Sequence, residues 1–329
     1  MKTTRLDVPL DGQVLRIKTL IGGKGLFSAW KISLRRYKWL YLLILPSLAY
    51  YAVFHYYPLY GVTLAFKDFK IFQGILASPF ADPPIRHFVR LFDSPDFWRA
   101  VGNTFLISLY KIVFAFPAPI ILALLLNEVT QRWFRRIVET LMYLPHFISW
   151  VVIGGIMFNI FSINGGLVNE LLSAFGVPSK QFMAESSGFR AILVGSNIWR
   201  EMGWGSIVYL AALAGVDQNL YEAARIDGAN RFHLLVHITL PQIFSTIAVM
   251  LILNLGQVMN AGFEQVFILY SMPVYDVADI IDTYVYRLGI LSMEYSMATA
   301  AGLFKSLIGL VFIVSANSIT KKMGQSGIF

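Results

Sequence analysis

The chain has 329 residues, 57% of them hydrophobic and 14% charged, with a formal net charge of +8 and no cysteine. A soluble domain carries about 25% charged residues, and disorder needs low hydrophobicity with high charge, so both classes are excluded. Lack of cysteine removes disulfide frameworks and thiolate metal sites, which leaves an all-α, polytopic membrane protein.

Residues 1–38 form a largely polar N-terminal segment, and the apolar run that follows is too long for a signal-peptide core. Within it, residues 26–38 mix aromatics with Lys31, Arg35, Arg36 and Lys38, a pattern suited to a basic amphipathic helix on an anionic leaflet. A spanning helix needs about 20 mostly apolar residues. Six runs meet this: 39–61, 104–126, 137–161, 191–214, 240–262 and 299–319. Pro46, Pro58, Pro117, Pro119 and Pro145 lie within them, as membrane helices allow where neighbours satisfy the freed carbonyls.

Six spans put both termini on one side, and Lys and Arg set which side that is. The end-bearing side carries 16 of the 27 basic residues and the opposite side eight. Both termini are therefore expected in the cytoplasm, and the positive charge is a topology signal with no nucleic-acid partner implied. The domain reading is a cytoplasmic segment 1–38 followed by a transmembrane domain 39–329.

Ionisable residues at membrane depth are functional candidates by default. Lys111 and Lys305 each lie about two turns into a span, within snorkelling reach of the outer interface; a pathway-facing role is the alternative. Arg200 and Glu201, flanked by Trp199 and Trp204, sit in the outer half of the fourth span. Neighbours on a helix point about 100° apart, so each is expected to find its partner on another helix. They read either as an inter-helix tie or as a charged cavity wall. An arginine fork would match a carboxylate bidentately.

The fifth span carries Asn254, Gln257 and Asn260 at i, i+3 and i+6. Amides on one helix face glue helices together or line a wet cavity, and here the cavity is favoured. Tyr143, Trp150 and Asn159 of the third span are candidate additions to that wall, with His146 read as a packing residue. In the acid-rich segment 263–298, Tyr275 to Leu288 reads as a short helix with Val277, Ile280, Ile281 and Tyr284 as its apolar patch. It is expected either to lie on the outer face or to meet a partner. Ala298 and Gly302 suggest close packing at the start of the last span.

The loop between the fourth and fifth spans reads, from Leu220, LYEAARIDGANRFHLLVHITLP. Residues 218–227 hold good helix formers, Gly228 permits a bend, and a second short helix over 229–237 is expected before Pro241 opens the next span. A compact knob with small apolar residues and acids suits a groove on a partner. The spacing of Glu222, Ala223, Ala224, Gly228, Ile238, Leu240 and Pro241, with Asp227 before the glycine, resembles the EAA loop of permease subunits of binding-protein-dependent ABC importers.

The likeness runs from Tyr37 to the C-terminus and is to carbohydrate permeases of the maltose-permease type. The stretches LMYLPHFISWVVIGGI from Leu141, WREMGWGSIVYLAALAG from Trp199 and FEQVFILY from Phe263 resemble a subgroup of oligosaccharide permeases. Some of that subgroup serve acidic sugars such as alginate oligosaccharides and aldouronates. The resemblance implies the type I ABC importer permease fold in the bacterial cytoplasmic (inner) membrane. It also implies a second homologous permease, an ATPase dimer docked at 218–241, a periplasmic or extracellular solute-binding protein and an oligosaccharide cargo. The chain is then a transport subunit, not an enzyme. ATP and Mg would sit on the ATPase, since the glycine-rich run GGKG has Lys18 where a P-loop needs its first glycine and Gly25 where it needs Ser or Thr. A secondary transporter or channel for a small polar solute is the alternative, although no inverted repeat marks one. A membrane enzyme would need a motif such as H-E-x-x-H or G-x-S-x-G, which the chain lacks.

Overall fold

The computed structural model describes residues 7–10, 13–16 and 37–322. The described residues fall into two compact units, one ending at Gly61 and one starting at Val62. In the first unit, β1 (Asp7–Leu10) pairs antiparallel with β2 (Gln13–Arg16), with Asp7 opposite Arg16 and Leu10 opposite Gln13. The all-α expectation describes the rest of the described elements, and this short hairpin is the local exception to it. Asp11-Gly12 between the strands is a strong hairpin signal, and Val8 and Val14 are strand formers. The expected basic helix is not placed, since residues 26–36 lie outside the described residues. The same unit holds α1 (Lys38–Tyr51), which continues as a π turn over Ala52–Tyr56. Every residue from Tyr37 to Tyr60 is exposed.

The second unit is helical. Its main elements are α2 (Pro95–Tyr110), α3 (Pro117–Glu128), α4 (Arg132–Tyr143), α5 (Trp150–Ile160) and α6 (Ser186–Ala214). They are followed by α7 (Gln218–Ile226), α8 (Leu240–Gly256), α9 (Phe263–Leu269), α10 (Ile281–Tyr286) and α11 (Tyr295–Lys322). Among the described residues, four helices are long and apolar enough to cross a membrane: Lys38–Phe66, Pro95–Glu128, Arg231–Gly256 and Tyr295–Ser318. A fifth results if Arg132–Phe147 and Trp150–Ile160 are one span. The run 191–214 is helical within α6, but with Asn197, Arg200 and Glu201 lowering its hydropathy it is not among them.

The third run departs from the straight helix expected over 137–161. It is bent by 104° between α4 and α5. Pro145 lies in the 3-10 turn Leu144–Phe147, and Ser149 opens α5 by accepting the Val152 N–H at 3.4 Å. Proline and an N-cap in sequence stop one helix and start another. The fifth run also differs: α8 ends at Gly256, so Gln257 and Asn260 lie in the turn beyond it. At its other end the expected separate helix over 229–237 is not separate. Arg231–Leu234, a π turn over Leu235–Thr239 and α8 form one 26-residue helix. The π turn widens the helix just before Pro241, which has no N–H to give.

Helices can close only where side chains are small, because lipid supplies no hydrophobic drive between them. A Cβ on Gly203 of α6 would overlap the backbone carbonyl of Met142 in α4, and one on Gly205 would stand 3.1 Å from Pro119 Cβ. Ala298 Cβ would lie 3.1 Å from a Cβ on Gly289, whereas Gly302 faces open space and does not share in that packing. Ile120, Ala123, Tyr209, Leu213 and Ile243 form one buried cluster joining α3, α6 and α8.

The segment 263–298 folds back onto the protein. The single helix expected from Tyr275 to Leu288 is broken into Tyr275–Ala278 and α10. The Asp279 carboxylate explains the break, since it accepts from Thr283 Oγ1 at 2.7 Å while Ile280 N donates to that same oxygen at 2.9 Å. Asp279 also receives both Arg287 terminal nitrogens at 2.6 Å, and these hydrogen bonds hold the guanidinium's proton affinity above its ordinary value. Ile280, Ile281 and Tyr284 are buried, so most of the apolar patch faces inward.

Candidate functional site

The bend between α4 and α5 brings a chain of polar groups onto α6. Arg200 Nε donates to Ile148 O at 3.3 Å and Nη2 to His146 O at 3.2 Å, so the guanidinium caps carbonyls that the bend removes from helical bonding. Its Nη1 pairs with Glu201, and the guanidinium lies 5.0 Å from the Trp150 ring centre. The expectation that the adjacent charges cannot pair is thus corrected: the long arginine stem curls back along α6. Glu201 also meets His146 Nδ1 at 2.9 Å, and the His146 ring stacks on Trp204 with centroids 4.7 Å apart. His146 is therefore both a packing and a hydrogen-bonding residue.

Beside this cluster lies a cavity of about 350 Å³. Asn254, Gln257 and Asn260 all line it, although they reach it from a helix end and a turn, not from one helical face. Asn197, Glu201, Trp204 and Tyr209 of α6 complete one wall, and Ser108 and Lys111 another. An adjoining cavity of about 370 Å³ is lined by Trp150, Arg200, Glu264 and Gln265, and shares Lys111, Asn197, Glu201 and Asn260 with the first. Tyr143 and Asn159 line neither of the two; Asn159 is exposed and bonds Gly155 O at 2.8 Å.

Neither lysine snorkels as expected. Lys111 Nζ turns inward to Ala261 O at 2.7 Å and Gln265 Oε1 at 2.6 Å. Lys305 Nζ is held by both Asp282 oxygens at 2.6 and 2.7 Å. Inward acceptors satisfy an ammonium better than a stretched stem does. Ser108, Asn197 and Trp204 went unassigned to a cavity by sequence reasoning, and Lys111 was given a pathway-facing role only as the alternative. Their spacing held the signal, because 108 and 111, like 197, 201 and 204, share a helical face.

The loop 218–241 folds as a knob. Asp217 caps α7 by accepting the Asn219 N–H at 2.9 Å, Gly228 takes φ +80°, and Asn230 accepts the His233 N–H at 2.9 Å. Tyr221 Oη lies 3.0 Å from Thr239 Oγ1, tying α7 to the helix that follows. Ala224, Asp227, Gly228 and Ile238 line a shallow concavity with His233 and His237. Glu222, Ala223 and Pro241 are exposed and Leu240 half-buried. Ile226 and Phe232 project outward, 87% and 69% exposed, a pair of apolar groups that nothing among the described residues covers.

The sequence pattern of the binding-protein-dependent transport system inner membrane component matches residues 115–325. The chain belongs to this family. It is 46% identical to protein LplB of Bacillus subtilis (strain 168), over 94% of this chain and 96% of that protein. It is 44% identical to the polygalacturonan/rhamnogalacturonan transport system permease protein YteP of the same organism, over 91% and 92%. Among solved structures, a chain of a bacterial alginate ABC transporter in complex with alginate pentasaccharide-bound periplasmic protein superposes with a TM-score of 0.83. That match has 40% identity and covers 91% of this chain and 99% of the other. The fold is the type I ABC permease fold, and the chain is an inner-membrane transport component whose family is one of permeases, not enzymes.

Proposed function

We propose that this chain is one of two permease halves of an ATP-driven importer that carries an oligosaccharide bearing carboxylates. The observation that carries this reading is the cavity lined by Asn197, Asn254, Gln257 and Asn260 beside the charged groups Lys111 and Glu201. Amides supply donors and acceptors for sugar hydroxyls, and Trp150, Trp204 and Tyr209 offer ring faces. Likeness to permeases of polygalacturonan/rhamnogalacturonan and alginate transporters supports a carboxylated cargo. Arg200 and Glu201 brace the wall, and Arg200, already bonded to three acceptors, acts through the shape of the bend.

In this reading the chain crosses the membrane six times with both termini in the cytoplasm, the bent pair α4–α5 and α6 supplying the third and fourth crossings. Glu222, Ala223, Ala224, Asp227, Gly228, Ile238, Leu240 and Pro241 form the coupling knob, and exposed Ile226 and Phe232 enter a groove on the ATPase. ATP and Mg belong to that ATPase dimer; this chain holds no cofactor. A solute-binding protein delivers the cargo, and ATP-driven closure of the ATPases drags the knob so that the two permeases rock between inward- and outward-open states.

Uptake of labelled uronate and neutral oligosaccharides by wild-type and deletion strains tests the cargo. Loss of uronate uptake alone is expected on deletion. Loss of only a neutral sugar would discard the carboxylated cargo and keep the permease.

A further inference from the structure

Ser108 lies in the last turn of α2 and Lys111 opens the π turn Lys111–Ala115, about one helical turn further on and on the same cavity wall. The wide turn precedes Pro117, whose ring would otherwise crowd the carbonyl four residues back. Ser108 is 4% exposed, and its Oγ has no hydrogen-bond partner among the described residues. A buried hydroxyl without a partner is unfavourable, and such groups in native proteins usually await water or a ligand.

Lys111 has the complementary property. Its two partners, Ala261 O and Gln265 Oε1, are neutral, and an ammonium has three donors. Arg200 differs, since Glu201 already takes part of its fork. Among the described residues lining the two cavities, Lys111 is the cation with no carboxylate in ion-pair contact; Glu201, on the same walls, acts on it only through space and is itself held by Arg200 and His146. Glu264 shares the second cavity but is exposed, where water and salt screen it. Gly262, at φ +93°, makes the arrangement possible: a Cβ there would stand 2.9 Å from Lys111 Nζ.

We propose that Lys111 and Ser108 form a carboxylate subsite in the translocation cavity, Lys111 meeting the carboxylate of a passing uronate residue and Ser108 donating a hydrogen bond to it. The inference rests on the reading of this chain as an importer of acidic oligosaccharides. A lysine suits a moving cargo. Its compact charge accepts a carboxylate from many directions, whereas an arginine fork fixes one geometry. When the carboxylate leaves, Ala261 O and Gln265 still satisfy the ammonium, so neither state strands a bare charge.

The test uses the assembled importer in proteoliposomes with its binding protein, and two probes: trigalacturonate and its fully methylated ester, equal in length but uncharged. Uptake by each variant is read as a ratio to wild type for the same probe, so that binding-protein preference cancels. Lys111→Met is expected to lower trigalacturonate uptake by about tenfold to a hundredfold, the range for losing a hydrogen bond to a charged group, and to leave the ester ratio unchanged. Lys111→Arg should restore most trigalacturonate uptake. Equal loss of both probes in Lys111→Met, with no rescue by arginine, overturns the subsite. Should Lys111→Met fail to assemble, Ser108→Ala decides, because it removes an oxygen that bonds to nothing among the described residues. Lower trigalacturonate uptake supports the subsite and wild-type uptake overturns it. A wild-type importer that takes up the ester but not trigalacturonate overturns the acidic-cargo reading itself, and is told apart because it appears before any substitution is made.

Discussion

Gly203→Ala measures how closely α6 must approach α4. On a helix, replacing glycine by alanine is worth about 1 kcal/mol in favour of the folded state. Gly195, on the same helix, has nothing within 4 Å of an added Cβ and should show that gain. At Gly203 the methyl group would overlap the Met142 carbonyl, which is backbone and cannot rotate away. Overpacking of this kind costs about 1–3 kcal/mol, and because the propensity gain is common to both variants, that is the expected difference between them. The strain falls four residues from His146, so the contact of His146 with Glu201 should lengthen and the cavity wall shift. The assay is the thermal unfolding midpoint of the purified protein in detergent, with uptake measured in parallel. Gly203→Ala should unfold below Gly195→Ala and transport less. Equal midpoints, or a higher one for Gly203→Ala, would refute the close approach and the bracing of the bend that depends on it.

Gly228→Val forces a β-branched residue to φ +80°, a strain of about 1–3 kcal/mol that the local turn must absorb. The chain should still insert, while ATPase co-purification and uptake fall; normal values for both would remove the coupling role of the knob. Asp279→Ala leaves half-buried Arg287 without its carboxylate, with Tyr270 and the Tyr275 ring left to meet it, at a cost of about 1.5–3 kcal/mol, which a lower unfolding midpoint would register. Arg200→Ala frees the carbonyls of His146 and Ile148 and should reduce uptake of charged and neutral cargo alike. A loss confined to charged cargo would instead make Arg200 a direct cargo contact.

The parts legible from sequence were those written in local chemistry. The knob at 218–241 was readable because Asp217, Gly228 and Asn230 each serve their own turn. Four of the six apolar runs were readable as long helices because lipid demands about 20 residues whatever the fold. The 104° bend was missed although Pro145 and Ser149 signal it, since hydrophobicity runs unbroken through 137–161. The pairing of Arg200 with Glu201 was missed because Cα directions say little about a side chain with a long flexible stem. The role of Lys111 depends on Ala261 and Gln265, 150 and 154 residues away, and no local pattern carries that information. The amide triad lines one cavity, but not as one helical face: the helix ends at Gly256 and the turn beyond it does the gathering.

The most direct measurement is trigalacturonate uptake into proteoliposomes holding this chain with its sister permease, with the ATPase subunits and the binding protein each added or withheld. Uptake that requires ATP, the ATPase and the binding protein together is the expected result. Uptake that persists without the ATPase and follows an ion gradient would contradict the account and make the chain a secondary transporter.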